Sequence, residues 1–158
     1  MMSAIDYIKG DATQPVGTGN KIIVHICNDI GRWGKGFVLA VSARWPEPEK
    51  QYRTWYADAT NFALGQAQFV KVTSNIWVAN VIGQHKIVKG KGGIPPIRYE
   101  AVQEGLRMVS SFALENNATV HMPRIGCGLA GGTWDKIEPI IIEELLNKGV
   151  AVTVYDFA

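Results

Sequence analysis

Short β-branched runs alternate along this chain with stretches of helical period, and that alternation constrains the fold more than any other feature. Residues 21–26, KIIVHI, form an apolar run of buried-strand type, and residues 4–8 form a shorter strand candidate. Residues 37–45 are apolar on nearly every side, which predicts a buried helix. Residues 47–58 predict a more polar helix with Pro46 and Pro48 near its start. Residues 66–72 and 76–82 read as two strands joined by a tight turn at Ser74 and Asn75. Beyond a loop over 83–96, Tyr99, Val102, Leu106, Val109 and Ala113 recur at helical spacing, which predicts an amphipathic helix over 98–115. A strand at 118–122 leads into a Gly-rich loop at 124–132. Trp134, Ile137, Ile141 and Leu145 then mark a helix, with Thr133 as its N-cap and Pro139 kinking it early. A strand over 150–155 closes the chain. Strands interleaved with helices of this length predict an α/β fold, a three-layer α/β/α sandwich around a mixed sheet of about six strands, with residues 1–158 as one domain.

Composition narrows the function classes. Of the 158 residues 47% are hydrophobic and 19% charged, a balance that excludes a disordered chain. No apolar run approaches the roughly 18 residues of a spanning helix, so no membrane partner is expected. The opening MMSAIDYIKGD lacks a charged segment followed by an apolar one, so no secretory signal is read and a cytoplasmic location is expected. Cys27 and Cys127 then read as reduced thiols, not as a disulfide framework. The net charge of +2 is too mild to argue for nucleic acid, for which Lys86, Lys89, Lys91 and the tryptophans make only a local case.

Three glycine-containing segments follow strand candidates, where open α/β sheets bind their ligands. In Gly10-Asp11-Ala12-Thr13 the acid can accept a hydrogen bond from an exocyclic amine such as that of adenine, or simply shape a turn. The second segment runs from His25 through Cys27, Asn28, Trp33, Gly34, Lys35 and Gly36 to Phe37, in the order strand, loop, helix. Its glycines permit close backbone approach and its helix N-terminus attracts anions. It has neither the spacing of a Walker loop nor that of a dinucleotide fingerprint. The third segment, Pro123-Arg124-Ile125-Gly126-Cys127-Gly128-Leu129-Ala130-Gly131-Gly132, has the composition of an anion nest. Two nests in one small domain suit a diphosphate; tight connections that need small residues are the plainer reading.

Taken in this order, the segments resemble those of the macrodomain family, the ADP-ribose-binding fold, along nearly the whole chain. His25-Ile26-Cys27-Asn28 with Trp33-Gly34-Lys35-Gly36, and Met122 to Leu129, resemble the branch containing terminal ADP-ribose protein glycohydrolase and ADP-ribose-1''-phosphate phosphatase. The resemblance implies that Asp11 binds the adenine amine with the Ala12 backbone beside it. It implies that Trp33, Gly34, Lys35, Gly36 and Phe37 line the distal ribose and diphosphate. Gly126, Cys127, Gly128, Leu129, Ala130 and Gly131 would cradle the diphosphate, and Asn28 would face the distal ribose. Tyr155, near the chain end with Asp156 and Phe157, would stack on adenine or be a core tyrosine.

The chain departs from that branch at two positions. Where the glycohydrolases carry an aspartate stands Ala130, and where they carry a lysine the chain reads Gly83-Gln84-His85, with Lys86 beyond. His25, His85 and Asp135 are then the candidate acid–base groups, with Asn28 and Lys35 orienting water. Each has a bland reading: a hydrogen-bonded core histidine for His25, a helix-end acid for Asp135. The glycines and lysines after His85 read as a cationic flap closing over a phosphate, or as a solvated loop. Cys127 sits where a helix N-terminus would lower a thiol pKa, and is a nucleophile or a small packing residue. His25, His85 and His121 match no zinc spacing, and neither a metal nor a cofactor is expected. The expected partner is ADP-ribose or an ADP-ribosylated substrate, with nucleic acid entering only as a carrier of that group. The expected function is hydrolysis of a C1''-linked ADP-ribose derivative, the alternative a non-catalytic ADP-ribose reader.

Overall fold

Alternate side chains of Asn20–Asn28 (β2) enter two different apolar cores, the mark of a strand buried on both faces. Ile22 and Val24 join one core, Ile23 and Cys27 the other. The computed structural model describes residues 4–157. Before β2 comes β1 (Asp6–Lys9); after it come α1 (Phe37–Arg44), α2 (Glu47–Asp58), β3 (Ala67–Thr73), β4 (Ile76–Gln84), α3 (Tyr99–Asn116), β5 (Ala118–Met122), α4 (Trp134–Glu144) and β6 (Val152–Asp156). The reading of the chain start for a signal falls partly on residues 1–3, outside the described residues.

The six strands form one sheet in the order β1-β6-β5-β2-β4-β3, and only β3 runs antiparallel to its neighbour. Helices α3 and α4 cover one face through Val102, Leu106, Val109, Ile137 and Ile141. Helices α1 and α2 cover the other through Val38, Val41 and Tyr52, with Trp33 and Val78. The mixed α/β/α sandwich is therefore present. Because β1, β2, β4, β5 and β6 run parallel, their carboxyl ends open on one edge of the sheet. The three glycine-containing segments leave from that edge.

Several local expectations need correction. Helix α1 buries only Val38 and Val41, while Leu39 is 54% exposed, because the helix lies at the surface over the small second core. Strand β2 runs on through Cys27 to Asn28, which the reading of 21–26 left outside, because its ladder to β4 continues past a bulge as far as Asn28 opposite Gln84. Thr133 does occupy the N-cap of α4, yet its side chain makes no capping bond.

Candidate functional site

The loop after β2 is tied by one side chain. Asn28 Oδ1 accepts hydrogen bonds from the amides of Ile30 (3.1 Å) and Arg32 (3.0 Å) and from the Tyr52 hydroxyl (2.9 Å). Its Nδ2 donates to the Arg32 carbonyl (2.8 Å). Gly31, at φ 73°, closes this knot; a Cβ there would lie 2.4 Å from the Tyr56 ring. Trp33 folds inward, 5% exposed, with its indole N–H on Ser42 Oγ (2.8 Å) and its ring edge-on to His25. Trp33 is therefore packing behind the loop and not an open wall. The chain emerges at Gly34, Lys35 and Gly36, and α1 begins at Phe37 with no acid in its first turn.

The loop after β5 is closed by the Gly132 amide on the Gly126 carbonyl (2.8 Å), and a Cβ at Gly132 would meet that carbonyl oxygen at 2.5 Å. The Ala130 carbonyl accepts from Ile97 (3.0 Å). The amides of Gly128, Leu129 and Ala130 find no backbone acceptor among the described residues. Arg124 grips Asp156 in a bidentate pair, Nε to Oδ1 at 2.8 Å and Nη2 to Oδ2 at 2.9 Å. Its guanidinium lies over the rings of Tyr7 and Trp134, at 4.8 and 4.9 Å. That pairing holds the Asp156 carboxyl below its usual range.

Between these loops lies a cleft of about 250 Å³. Its lining combines Lys35, Gly36, Phe37 and Val38 with Pro123, Arg124, Ile125, Gly126, Gly128, Leu129 and Ala130, and is floored by His25, Ile26 and Gln84. Lys35 and Arg124 line it and no carboxylate does; Arg124 is paired with Asp156, so Lys35 is the charge left for an anion. Gln84 and Ala130 both line the cleft. Arg124 and Gln84 were both in view in the sequence without being singled out for the site. Arg124 needed the fold to bring Tyr7, Trp134 and Asp156 around it.

The expected acid–base groups divide. His25 and Lys35 line the cleft; Asn28, His85 and Asp135 do not. His25 is 2% exposed and donates from Nε2 to Asn80 Oδ1 (2.6 Å), since the Asn80 amide donates to Pro48 and Gln68. Its Nδ1 is then the acceptor nitrogen. Burial pushes its pKa down to about 4, so the ring is neutral at pH 7. Asn28 is consumed by the knot. His85 pairs through Nδ1 with Asp29 Oδ2 (2.7 Å) outside the cleft. Asp135 is exposed in the first turn of α4.

The adenine-side residues lie outside the cleft lining. Asp11 Oδ1 accepts from the Thr13 amide (2.9 Å) and hydroxyl (2.7 Å), and Ala12 is 3% exposed. Tyr155 is 3% exposed, with its hydroxyl on the Val16 amide and on His121 Nδ1, so it is the core tyrosine and offers no open face. Phe157, two residues on, is 84% exposed. Cys127 is not in the cleft lining, and burial raises its thiol pKa, opposite to the shift expected from the helix end. Desolvation outweighs the nearby Arg124 charge there.

A mixed sheet of this order, with a carboxylate-free cleft between two glycine loops at its carboxyl edge, can now be set beside known proteins. Comparison with protein-family models finds no match. The ADP-ribose glycohydrolase OARD1 of Bos taurus is 38% identical over 157 residues, covering 97% of this chain and 91% of its own. The ADP-ribose 1''-phosphate phosphatase of Lodderomyces elongisporus is 26% identical over 146 residues, covering 87% and 90%. The Chromodomain-helicase-DNA-binding protein 1-like of Danio rerio is 32% identical over 162 residues, or 97% of this chain. This chain spans only 16% of that protein and 18% of its Mus musculus counterpart. Among solved structures, a macrodomain protein from Streptomyces coelicolor superposes with TM-score 0.87 at 53% identity, covering 98% of this chain and 100% of that one. A Bacteroides thetaiotaomicron protein superposes with TM-score 0.97 at 59% identity, covering 98% of each. The chain belongs to the macrodomain family.

Proposed function

We propose that the cleft binds ADP-ribose by its diphosphate and that the chain hydrolyses a C1''-linked derivative of it. One observation carries the binding half. Gly34 and Gly128 lie outside the positive-φ region, and a Cβ on either would meet nothing within 4 Å. The unliganded fold therefore has no use for glycine at either place. A ligand backbone that approaches to van der Waals contact does. Gly128 lines the cleft with Lys35 and Arg124, beside the amides of Leu129 and Ala130, and Gly34 directly precedes Lys35; these are donors a diphosphate would use. Asp11, through Oδ2, and exposed Phe157 would serve adenine.

In the hydrolytic step water attacks the C1'' centre, or the phosphorus of a 1''-phosphate. The bond to the departing oxygen breaks, and one proton passes from the water to that oxygen. Lys35 would stabilise the developing negative charge, with His25 as a neutral imidazole in the cleft lining beneath it. Gln84 and Ala130 line the cleft and no carboxylate does, so no carboxylate base is available there. That same pair favours a second reading, a reader that binds ADP-ribose without turning it over.

Isothermal titration with ADP-ribose, AMP and ATP tests the first half. Selective binding of ADP-ribose that Gly128→Val removes supports it, and equal weak binding of all three would overturn it. Phosphate or acceptor release from ADP-ribose-1''-phosphate and an ester-linked substrate tests the second. Binding without turnover of either leaves the reader.

A further inference from the structure

The lysine-rich segment after β4 does not close over the cleft. It walls a second cavity of about 340 Å³, lined by His85, Lys86, Val88, Lys89, Gly90, Lys91, Ile94 and Arg98, with no residue shared with the first. No carboxylate lines it.

Two of its donors are fixed before any ligand arrives. Arg98 spends Nη1 on the carbonyls of Pro95 (2.8 Å), Pro96 (3.1 Å) and Ile97 (3.0 Å), which locks the guanidinium while its Nε and Nη2 make no hydrogen bond among the described residues. His85 is held through Nδ1 by Asp29, whose other oxygen takes the Lys86 amide (2.8 Å), so Nε2 is left over. The Asp29 carboxylate is thus used up outside the cavity. Lys86, Lys89 and Lys91 add three exposed ammonium groups on a short loop. Arg98 and the three lysines outnumber the one neighbouring carboxylate, Asp29; gathered like charges cost stability, and a bound anion reduces that cost. The planar, anchored Arg98 matches a phosphate edge, and the lysines supply adaptable charge around it.

We propose that this cavity is a second anion site, taking a phosphate-bearing group: a diphosphate, or the phosphodiester of a strand passing the cleft. The proposal does not depend on what fills the first cleft. No Phe, Tyr or Trp lines the second cavity, and His85 is held by Asp29, which predicts recognition of phosphate without base stacking.

The test is an amide NMR titration of the whole chain. Inorganic pyrophosphate is added after ADP-ribose has been taken to saturation, or to 5 mM if ADP-ribose causes no shifts. Pyrophosphate is expected to move the amides of Lys86, Lys89, Gly90 and Lys91 and to leave Gly128 and Leu129 in place. Lys89→Glu with Lys91→Glu, both exposed, should raise the pyrophosphate Kd about tenfold or more and leave the ADP-ribose response unchanged. A short oligothymidylate that binds more tightly than pyrophosphate and is lost in the same variant identifies the phosphodiester. Pyrophosphate binding alone identifies the small diphosphate. No shift around Lys89, or equal shifts with sodium chloride at matched ionic strength, would overturn the site. Failure of ADP-ribose to shift Gly128 would sink the proposed function alone.

Discussion

At the level of single residues, glycines sort into those the fold needs and those it does not. Gly132 has no room for a methyl group, because the Gly126 carbonyl would sit 2.5 Å from it. Gly34 and Gly128 have open space and lie outside the positive-φ region. Gly34→Ala and Gly128→Ala should therefore leave thermal stability unchanged or raise it by about 0.4–1 kcal/mol, by restricting the unfolded chain. The same substitutions should weaken ADP-ribose binding by about tenfold or more, since a Cβ takes the ligand's space. Gly132→Ala should lower stability by about 1–3 kcal/mol. Melting curves beside calorimetric titrations check all three. Unchanged affinity in Gly128→Ala would remove the main support for the binding mode. The sequence showed that these loops were rich in glycine. It could not show which glycine served the chain and which a ligand, because that depends on neighbours such as Ile97, Pro95 and Tyr56 brought from distant segments.

At the level of elements, the sequence was most readable where burial alone decides structure. The helix periods at Tyr99–Asn116 and Trp134–Glu144 report one buried face, and the runs around Ile22 and Val120 report two-sided burial. The α1 stretch misled because apolar composition does not say which face is covered. The loops were least readable, because side chains and not periodicity organise them. Asn28 is the clearest case: a residue singled out for the ligand proves to be the tie of the whole β2–α1 connection. Removing it orphans the Ile30 and Arg32 amides and the Arg32 carbonyl and takes one acceptor from Tyr52. Asn28→Ala should cost about 2–4 kcal/mol. It should also loosen residues 30–36, so ADP-ribose affinity falls with stability. Tyr52→Phe, which deletes only the hydroxyl, should cost about 1–2 kcal/mol and leave affinity within threefold. Hydrogen exchange at Ile30 and Arg32 distinguishes the cases: fast exchange in Asn28→Ala and slow exchange in Tyr52→Phe are expected. Slow exchange in both would mean that the knot is not held by this side chain.

Across the whole molecule, two histidines on the central strands carry the pH dependence. His25 and His121 sit on neighbouring strands β2 and β5, 2% and 3% exposed, and each has its pKa lowered to about 4. Burial is the first cause for both, and the Lys21 charge adds to it at His121. Both lie below the ordinary histidine value of 6.5 that applies once the chain unfolds. Between those values the unfolded chain binds more protons than the folded one, so stability rises with pH across that window. The stabilisation is fully present above about pH 6.5 and is lost as pH falls towards 4. Glu144 and Asp156, whose carboxyls are held low by Gln103 with Arg107 and by Arg124, add a further loss only at lower pH. The melting temperature should therefore be flat from pH 8 to 7 and fall steadily from 6.5 downwards. By NMR, both imidazoles of the folded chain should stay neutral through pH 5.5. His25, the imidazole in the cleft lining, is already neutral there. ADP-ribose affinity should then stay constant from pH 6 to 8, while stability begins to decline at the lower end of that range. A His25 resonance that titrates near 6.5, or an affinity that tracks the melting temperature, would show an imidazole open to solvent and to ligand charge. His25 would then be a proton donor to the bound group and not the neutral acceptor that its bond to Asn80 defines.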